Sequence, residues 1–288
     1  MRILENSDLI IESKNLGAEL TRIYSKKYNK EILWNGDSAF WGRHSPILFP
    51  IVGRLKDNEI YIEDKLYNMS QHGFARDMEF EVIDETNSSI IYKLQSNEES
   101  KKFYPYEFEL LIKYTLEKGK LNIKWEVKNI DSREIYFSIG AHPAFNISSR
   151  EELSNYYIEF KCKDNVNQIS LEGPYYNEIT SISNLKTLEL NPKSFEKDAI
   201  IFTNIDELSI KNKKEDNYIK VSFKDFPLVG IWSPYYKDEN LTAPFICIEP
   251  WYGLADSVNS DKIYKNKKFI NKLNVGETFT TDYAIEIK

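Results

Sequence analysis

Three side chains bound the chemistry open to this chain. Glu249 follows the apolar run Phe245-Ile246-Cys247-Ile248 and precedes Pro250 and Trp251. A carboxylate at the end of a strand-like apolar run is costly to desolvate unless a partner or a reaction uses it. Only three histidines occur. Two sit among small and aromatic neighbours, His72 in Gln71-His72-Gly73-Phe74-Ala75-Arg76 and His142 in Gly140-Ala141-His142-Pro143-Ala144-Phe145. One carboxylate and two imidazoles in such settings point to acid–base chemistry.

Taken singly, each position also has a plainer explanation. His142 follows the strand-like Ile135-Tyr136-Phe137-Ser138-Ile139, and Pro143 cannot donate to a sheet ladder, so it fits a strand's end or an edge. A structural histidine satisfied by a backbone carbonyl competes there with one facing a cavity. Gly73 after His72 fits a backbone bend or close approach to a ligand. Arg76 carries the planar fork that clamps hydroxyls or a phosphate; a surface salt bridge to Asp77 or Glu79 is the alternative. Arg54, in Phe49-Pro50-Ile51-Val52-Gly53-Arg54-Leu55, needs a partner if buried, and a ligand or a structural ion pair would serve. Asp198 opens Ala199-Ile200-Ile201-Phe202 and could cap a turn or reach a ligand. Trp251 and Phe145 could offer apolar faces to C–H bonds, whereas Trp232 reads as core packing. His44 has no comparable setting and takes no role.

Other chemistries lack their signatures. No His-x-x-x-His, Cys-x-x-Cys or Glu-x-x-His spacing occurs, which disfavours a metal site, since a structural one needs about four ligands. There is no Gly-rich phosphate loop, dinucleotide fingerprint or Gly-x-Ser-x-Gly elbow. The expectation is a site without metal or cofactor.

Strands must position these residues, because period-two alternation dominates the chain. Phe108, Leu110, Ile112, Tyr114 and Leu116 alternate with mostly polar partners, and Leu121, Ile123, Trp125 and Val127 do so after Glu117-Lys118-Gly119-Lys120. This predicts a long hairpin with one buried face. Phe279, Tyr283, Ile285 and Ile287 share a face of a C-terminal strand. Residues 79–84, 89–94, 156–162, 219–223 and 228–232 read similarly. The polar segments 96–102, 211–217, 237–240 and 259–268 read as solvated loops. No linker, repeat or low-complexity tract interrupts the 288 residues, so a single large antiparallel β domain over residues 1–288 is expected.

Composition narrows the partners. Hydrophobic residues at 41% and aromatics at 14% suffice for a large core. The net charge of −7 argues against an extended surface for nucleic acid, although one pocket can be basic on an acidic protein. The N-terminus lacks a signal-peptide apolar region, and no apolar stretch approaches the roughly 18 residues that span a bilayer. Cys162 and Cys247 lie in apolar strand-like runs and read as buried reduced thiols. A cytoplasmic protein without nucleic-acid or membrane partners is expected; the sequence leaves its oligomeric state open.

Four motifs together resemble the aldose 1-epimerase (galactose mutarotase-like) superfamily: the segment Ser45–Arg54, His72-Gly73-Phe74-Ala75-Arg76, Gly140–Phe145 and Ile248-Glu249-Pro250-Trp251. The wording is most similar to the bacterial LacX-related branch and less so to the hexose-6-phosphate mutarotases. The resemblance implies a large antiparallel β-sandwich, the supersandwich, with a sugar site on a concave sheet surface. It implies Glu249 as general base and His142 as general acid. It also implies His72 as a hydrogen-bond partner near the ring oxygen, with Arg54 and Asp198 as sugar contacts. Arg76 matches a phosphate-contacting position of the hexose-6-phosphate branch. The expected reaction is interconversion of the anomers of a free aldohexose. Competing readings are the same chemistry on a hexose 6-phosphate, or a non-catalytic sugar-binding or sensing protein. Hydrolysis by Glu249 and Asp198 ranks last, because it leaves both histidines without a task. Free in water, a Glu side chain titrates at about 4.3 and a His at about 6.5, so ionised Glu249 and protonated His142 are the expected starting pair.

Overall fold

The computed structural model describes residues 1–288. Strict alternation gives the expected hairpin: in Phe108–Glu117 and Lys120–Asn129 the apolar positions are buried in turn. The two strands pair in unbroken register from Phe108 opposite Asn129 to Glu117 opposite Lys120. Around this hairpin a nine-stranded sheet forms. On one side lie Ser89–Gln95 and Glu81–Glu85. On the other, Thr278–Ile287, Ile219–Ser222, Ile205–Asn212, Tyr156–Cys162 and Thr187–Glu189 follow in spatial order, every pairing antiparallel.

A second sheet of eight strands has Leu228–Trp232 and Phe245–Tyr252 at its centre, antiparallel to each other. Ile200–Thr203 flanks the first. Ile139–Ala141 and Ala144–Asn146 both pair with the second. The main core lies between the two large sheets. Ile246, Ile248, Val229, Ile231 and Phe202 meet Leu110, Ile112, Trp125 and Phe160 in one buried cluster, and the Phe160 and Phe202 rings sit 5.4 Å apart. A four-stranded sheet from Arg2–Glu5 to Lys30–Glu31 completes the main architecture.

Three local expectations change. The run ending at Glu249 continues as a strand through Pro250 to Tyr252, because neighbours on both sides carry the ladder past the proline. The strand expected over 135–139 divides into Ile135–Phe137 and Ile139–Ala141, which pair with different partners. Residues 259–268 are not wholly solvated. Tyr264 is buried and donates to the Pro50 carbonyl at 2.7 Å. Lys267 is buried against the Asp256 carboxylate. A polar side chain with a distant partner has no periodicity to betray its burial. No helix is long and apolar enough to cross a membrane.

Glu19 anchors the entry to the Ser45–Arg54 segment. Its buried carboxylate accepts the backbone N–H groups of His44 and Ser45 at 2.8 and 3.2 Å and pairs with Lys14 at 2.6 Å. Burial alone would raise its pKa, but the interactions with His44 and Lys14 outweigh it and hold the group at about 2. The folded pKa therefore lies below the unfolded one. Its contribution, up to about 3 kcal/mol at neutral pH, is complete above the ordinary Glu range and fades as pH falls from there towards 2. Denaturant unfolding against pH should show this loss in the wild type, and Glu19→Gln should remove most of that pH dependence.

Candidate active site

Alternation along Phe245–Tyr252 divides its side chains: Ile246 and Ile248 enter the main core, while Phe245, Cys247, Glu249 and Trp251 face the opposite side of the sheet. Two small apolar clusters cover that side. One contains Leu48, Val52, Ile201, Leu228 and Trp251, the other Trp34, Ala144, Phe245 and Cys247. Glu249 stands between them, 1% exposed.

Register brings His142 to it. Gly140 lies opposite Trp251 and Ala144 opposite Cys247, so His142, midway, faces Glu249. Pro143 interrupts the strand here without shifting that register. The imidazole Nε2 lies 3.2 Å from Glu249 Oε2. The contact is not aligned as a hydrogen bond, and Oε2 has no such partner among protein atoms. On the other flank Gly230 is opposite Glu249. A Cβ on Gly230 would lie 2.5 Å from the Trp251 indole, and one on Gly140 would lie 2.6 Å from it. Both glycines are required for the indole to lie across the sheet beside the carboxylate.

His72 comes from a different segment, held by reciprocal bonds. Its N–H donates to the Gly53 carbonyl at 2.9 Å, and the Gly53 N–H donates to its Nδ1 at 3.1 Å. A backbone N–H can only donate, so Nδ1 accepts and the imidazole proton sits on Nε2. His72 adopts φ 69°, an uncommon conformation for a non-glycine residue and one that recurs at functional sites. Its ring centroid lies 5.5 Å from that of His142, nearly perpendicular. Arg54 donates to Gln71 Oε1 at 3.0 Å, which leaves Gln71 Nε2 only 3.2 Å from His72 Nε2. With Nε2 protonated, two N–H donors lie against one another, and at 3.2 Å no acceptor fits between them.

Burial works against the expected ionisation. Burial pushes Glu249 well above the usual carboxylate range, the nearby Asp198 charge adds to the rise, and the Trp251 indole N–H only partly opposes it. Burial drives His142 down to about 3 and His72 well below its ordinary value, with the charges of His142 and Arg76 adding to the latter. Burial thus disfavours the charged form of both members of the pair. Asp198 is also raised by burial, against the Trp232 indole, the Ala199 N–H and the Arg54 charge.

These groups line a cavity of about 860 Å³, counted with its open mouth. Glu249, His142, His72, Asp198, Arg76 and Trp251 all reach it. Arg54 does not; it acts through Gln71 and borders an adjoining cavity that shares Gln71 and Arg76. Arg76 donates to the Gln71 carbonyl at 2.7 Å and approaches Asp77 at 3.7 Å. Trp232, read from sequence as core, instead lines the cavity with its ring edge-on to His142 at 5.5 Å. Phe145 is fully buried in the main core. Sequence reading missed Trp41, whose indole stacks on His142 at 4.7 Å, and passed over Gln71. Neither carried a signal beyond its residue type.

Residues 3–267 match the family model for aldose 1-epimerase. The chain belongs to the aldose 1-epimerase family. The chromosomal LacX protein of Lactococcus lactis subsp. lactis is 31% identical, over 99% of this chain and 98% of that protein. A galactose mutarotase related enzyme from Lactobacillus acidophilus is 32% identical with a TM-score of 0.94, covering 100% of this chain and 97% of that one. A galactose mutarotase-like protein from Lactobacillus casei is 31% identical with a TM-score of 0.93 and complete coverage of both chains. The family fold, a large antiparallel β-sandwich, is the one observed. The cavity lies on the sheet face turned away from the main core.

Because burial is the leading cause of the low His142 pKa, Trp41→Ala should admit water and move that pKa from about 3 towards the ordinary imidazole value. An NMR titration of the His142 ring checks this; an unchanged pKa would remove Trp41 from that role.

Proposed function

We propose that this member of the family interconverts the α and β anomers of an aldohexose, with Glu249 and His142 as the proton-transfer pair. The observation that carries the reading is their cross-strand contact at 3.2 Å in the wall of the cavity. A carboxyl and an imidazole within proton-transfer reach are what hemiacetal opening requires.

The pair holds one proton between its two members. Sugar hydroxyls donated to the Glu249 carboxyl would favour its ionised form, with the proton passing to His142. Glu249 then takes the C1 hydroxyl proton while His142 protonates the ring oxygen, and the C1–O5 bond breaks to give the open aldehyde. Rotation about C1–C2 presents the other carbonyl face. The O5 hydroxyl adds to it as both proton transfers reverse, so the pair ends as it began. His72, neutral and fixed as an Nε2–H donor by Gly53, would hold the ring oxygen or a neighbouring hydroxyl together with Gln71. Asp198 would accept sugar hydroxyls, and Trp251 would offer its ring to a C–H face. No step calls on a redox group.

Arg76 favours a second reading, the same reaction on a hexose 6-phosphate. Its guanidinium borders both cavities, and Arg43 and Arg54 add positive charge to the His72 side, although Asp77 offsets part of it.

Exchange NMR of glucose, galactose and their 6-phosphates tests both. Glu249→Gln and His142→Asn should each slow anomer exchange by roughly 10²–10⁴-fold; rates equal to wild type in both variants would favour a sugar-binding protein without catalysis. If the phosphate reading holds, Arg76→Ala should slow phosphorylated sugars about tenfold more than free ones. An equal effect on both classes would remove its support.

A further inference from the structure

We infer that His142, Cys247 and Glu249 form a binding site for a thiophilic divalent cation of the Zn²⁺ class, occupation of which takes the proton-transfer pair away from the sugar. The site rests on geometry alone; its inhibitory consequence rests on the anomer-exchange reading.

Cys247 precedes Glu249 by two residues on one strand, so both side chains project from the same face. His142 reaches that face from the neighbouring chain segment. One donor atom from each of the three lies within 4.8 Å of the other two. Zinc–ligand lengths of about 2.0–2.3 Å place tetrahedral donors roughly 3.3–3.8 Å apart. No edge of the triangle therefore needs to close by more than about 1.5 Å. His142 Nε2 faces Glu249 Oε2 at 3.2 Å, and Oε2 is buried without a hydrogen-bond partner among protein atoms.

The donor set selects the ion. Thiolate with imidazole and carboxylate suits zinc or cadmium, whereas magnesium and calcium prefer oxygen donors throughout. A thiolate and a carboxylate neutralise a dication, with the neutral imidazole as third ligand. Binding displaces one proton from the thiol and one from the carboxyl, both released to solvent. Three protein ligands leave a fourth position for water, as in zinc sites with an exchangeable ligand. Sequence spacing gave no hint, because His142 is distant along the chain and meets the Cys-x-Glu pair only through the sheet.

Cadmium titration of the full chain, followed by the ultraviolet thiolate-to-cadmium charge-transfer band, tests binding without turnover. The band should appear in wild type and in Cys162→Ser, whose thiol lies elsewhere and donates to the Leu185 carbonyl. It should be lost in Cys247→Ser and Cys247→Ala. In exchange NMR, Zn²⁺ should inhibit, excess sugar and a chelator should relieve the inhibition, and Mg²⁺ should have no effect. Compared with its own metal-free rate, Cys247→Ala should need at least about tenfold more Zn²⁺. No band in wild type, or a band retained in both Cys247 variants, would overturn the site. A wild-type band in a protein that exchanges no anomers would support the site and defeat the catalytic reading alone.

Discussion

Holding a carboxyl group away from water on a sheet face is the constraint around which this molecule is arranged. Burial disfavours an ionised carboxylate, and it pushes the Glu249 pKa well above the usual range. The neighbouring strands respond on both flanks. Gly230 leaves room for the Trp251 indole, and the ladder resumes beyond Pro143 so that His142 is directly opposite. Burial that would be a liability elsewhere moves the Glu249 pKa up and the His142 pKa down, disfavouring the charged form of each.

The second constraint is on hydrogen-bond polarity. A backbone N–H at Gly53 fixes which nitrogen of His72 carries its proton, and Arg54 fixes which end of the Gln71 amide faces the cavity. Together they set the hydrogen-bond polarity of His72 and Gln71 where the two side chains meet. The segment supplying them is itself anchored. Asp256 donates its N–H to the Arg54 carbonyl and accepts the Lys56 N–H, each at 2.9 Å, while the buried Lys267 neutralises its carboxylate. This buried ion pair holds the Arg54 segment against the loop that follows Trp251.

Much of the scaffold was legible because alternation is a local property. The strands Tyr156–Cys162 and Leu228–Trp232 fall within their expected bounds, and the Phe108–Asn129 hairpin buries the predicted faces. The polar loops were less legible: Tyr264 and Lys267 are buried by partners outside their own segment, Pro50 and Asp256. Trp232 misled for a related reason. A tryptophan in an apolar strand looks the same whether its face meets the core or a cavity.

The sequence by itself determined an antiparallel β protein with one isolated carboxylate and two histidines in chemically suggestive settings, and its motifs carried the family. Residue type and period two are enough for that, since both act over a few neighbouring positions. Tertiary structure alone decided that His142 stands across from Glu249, that the Gln71 amide meets the His72 ring, and that Trp41 covers the imidazole. It also decided the direction in which burial moves both pKa values, against the assignment that the ordinary solution behaviour of Glu and His suggests. Desolvation depends on everything packed around a group, including residues far away in the chain, and no local pattern encodes it.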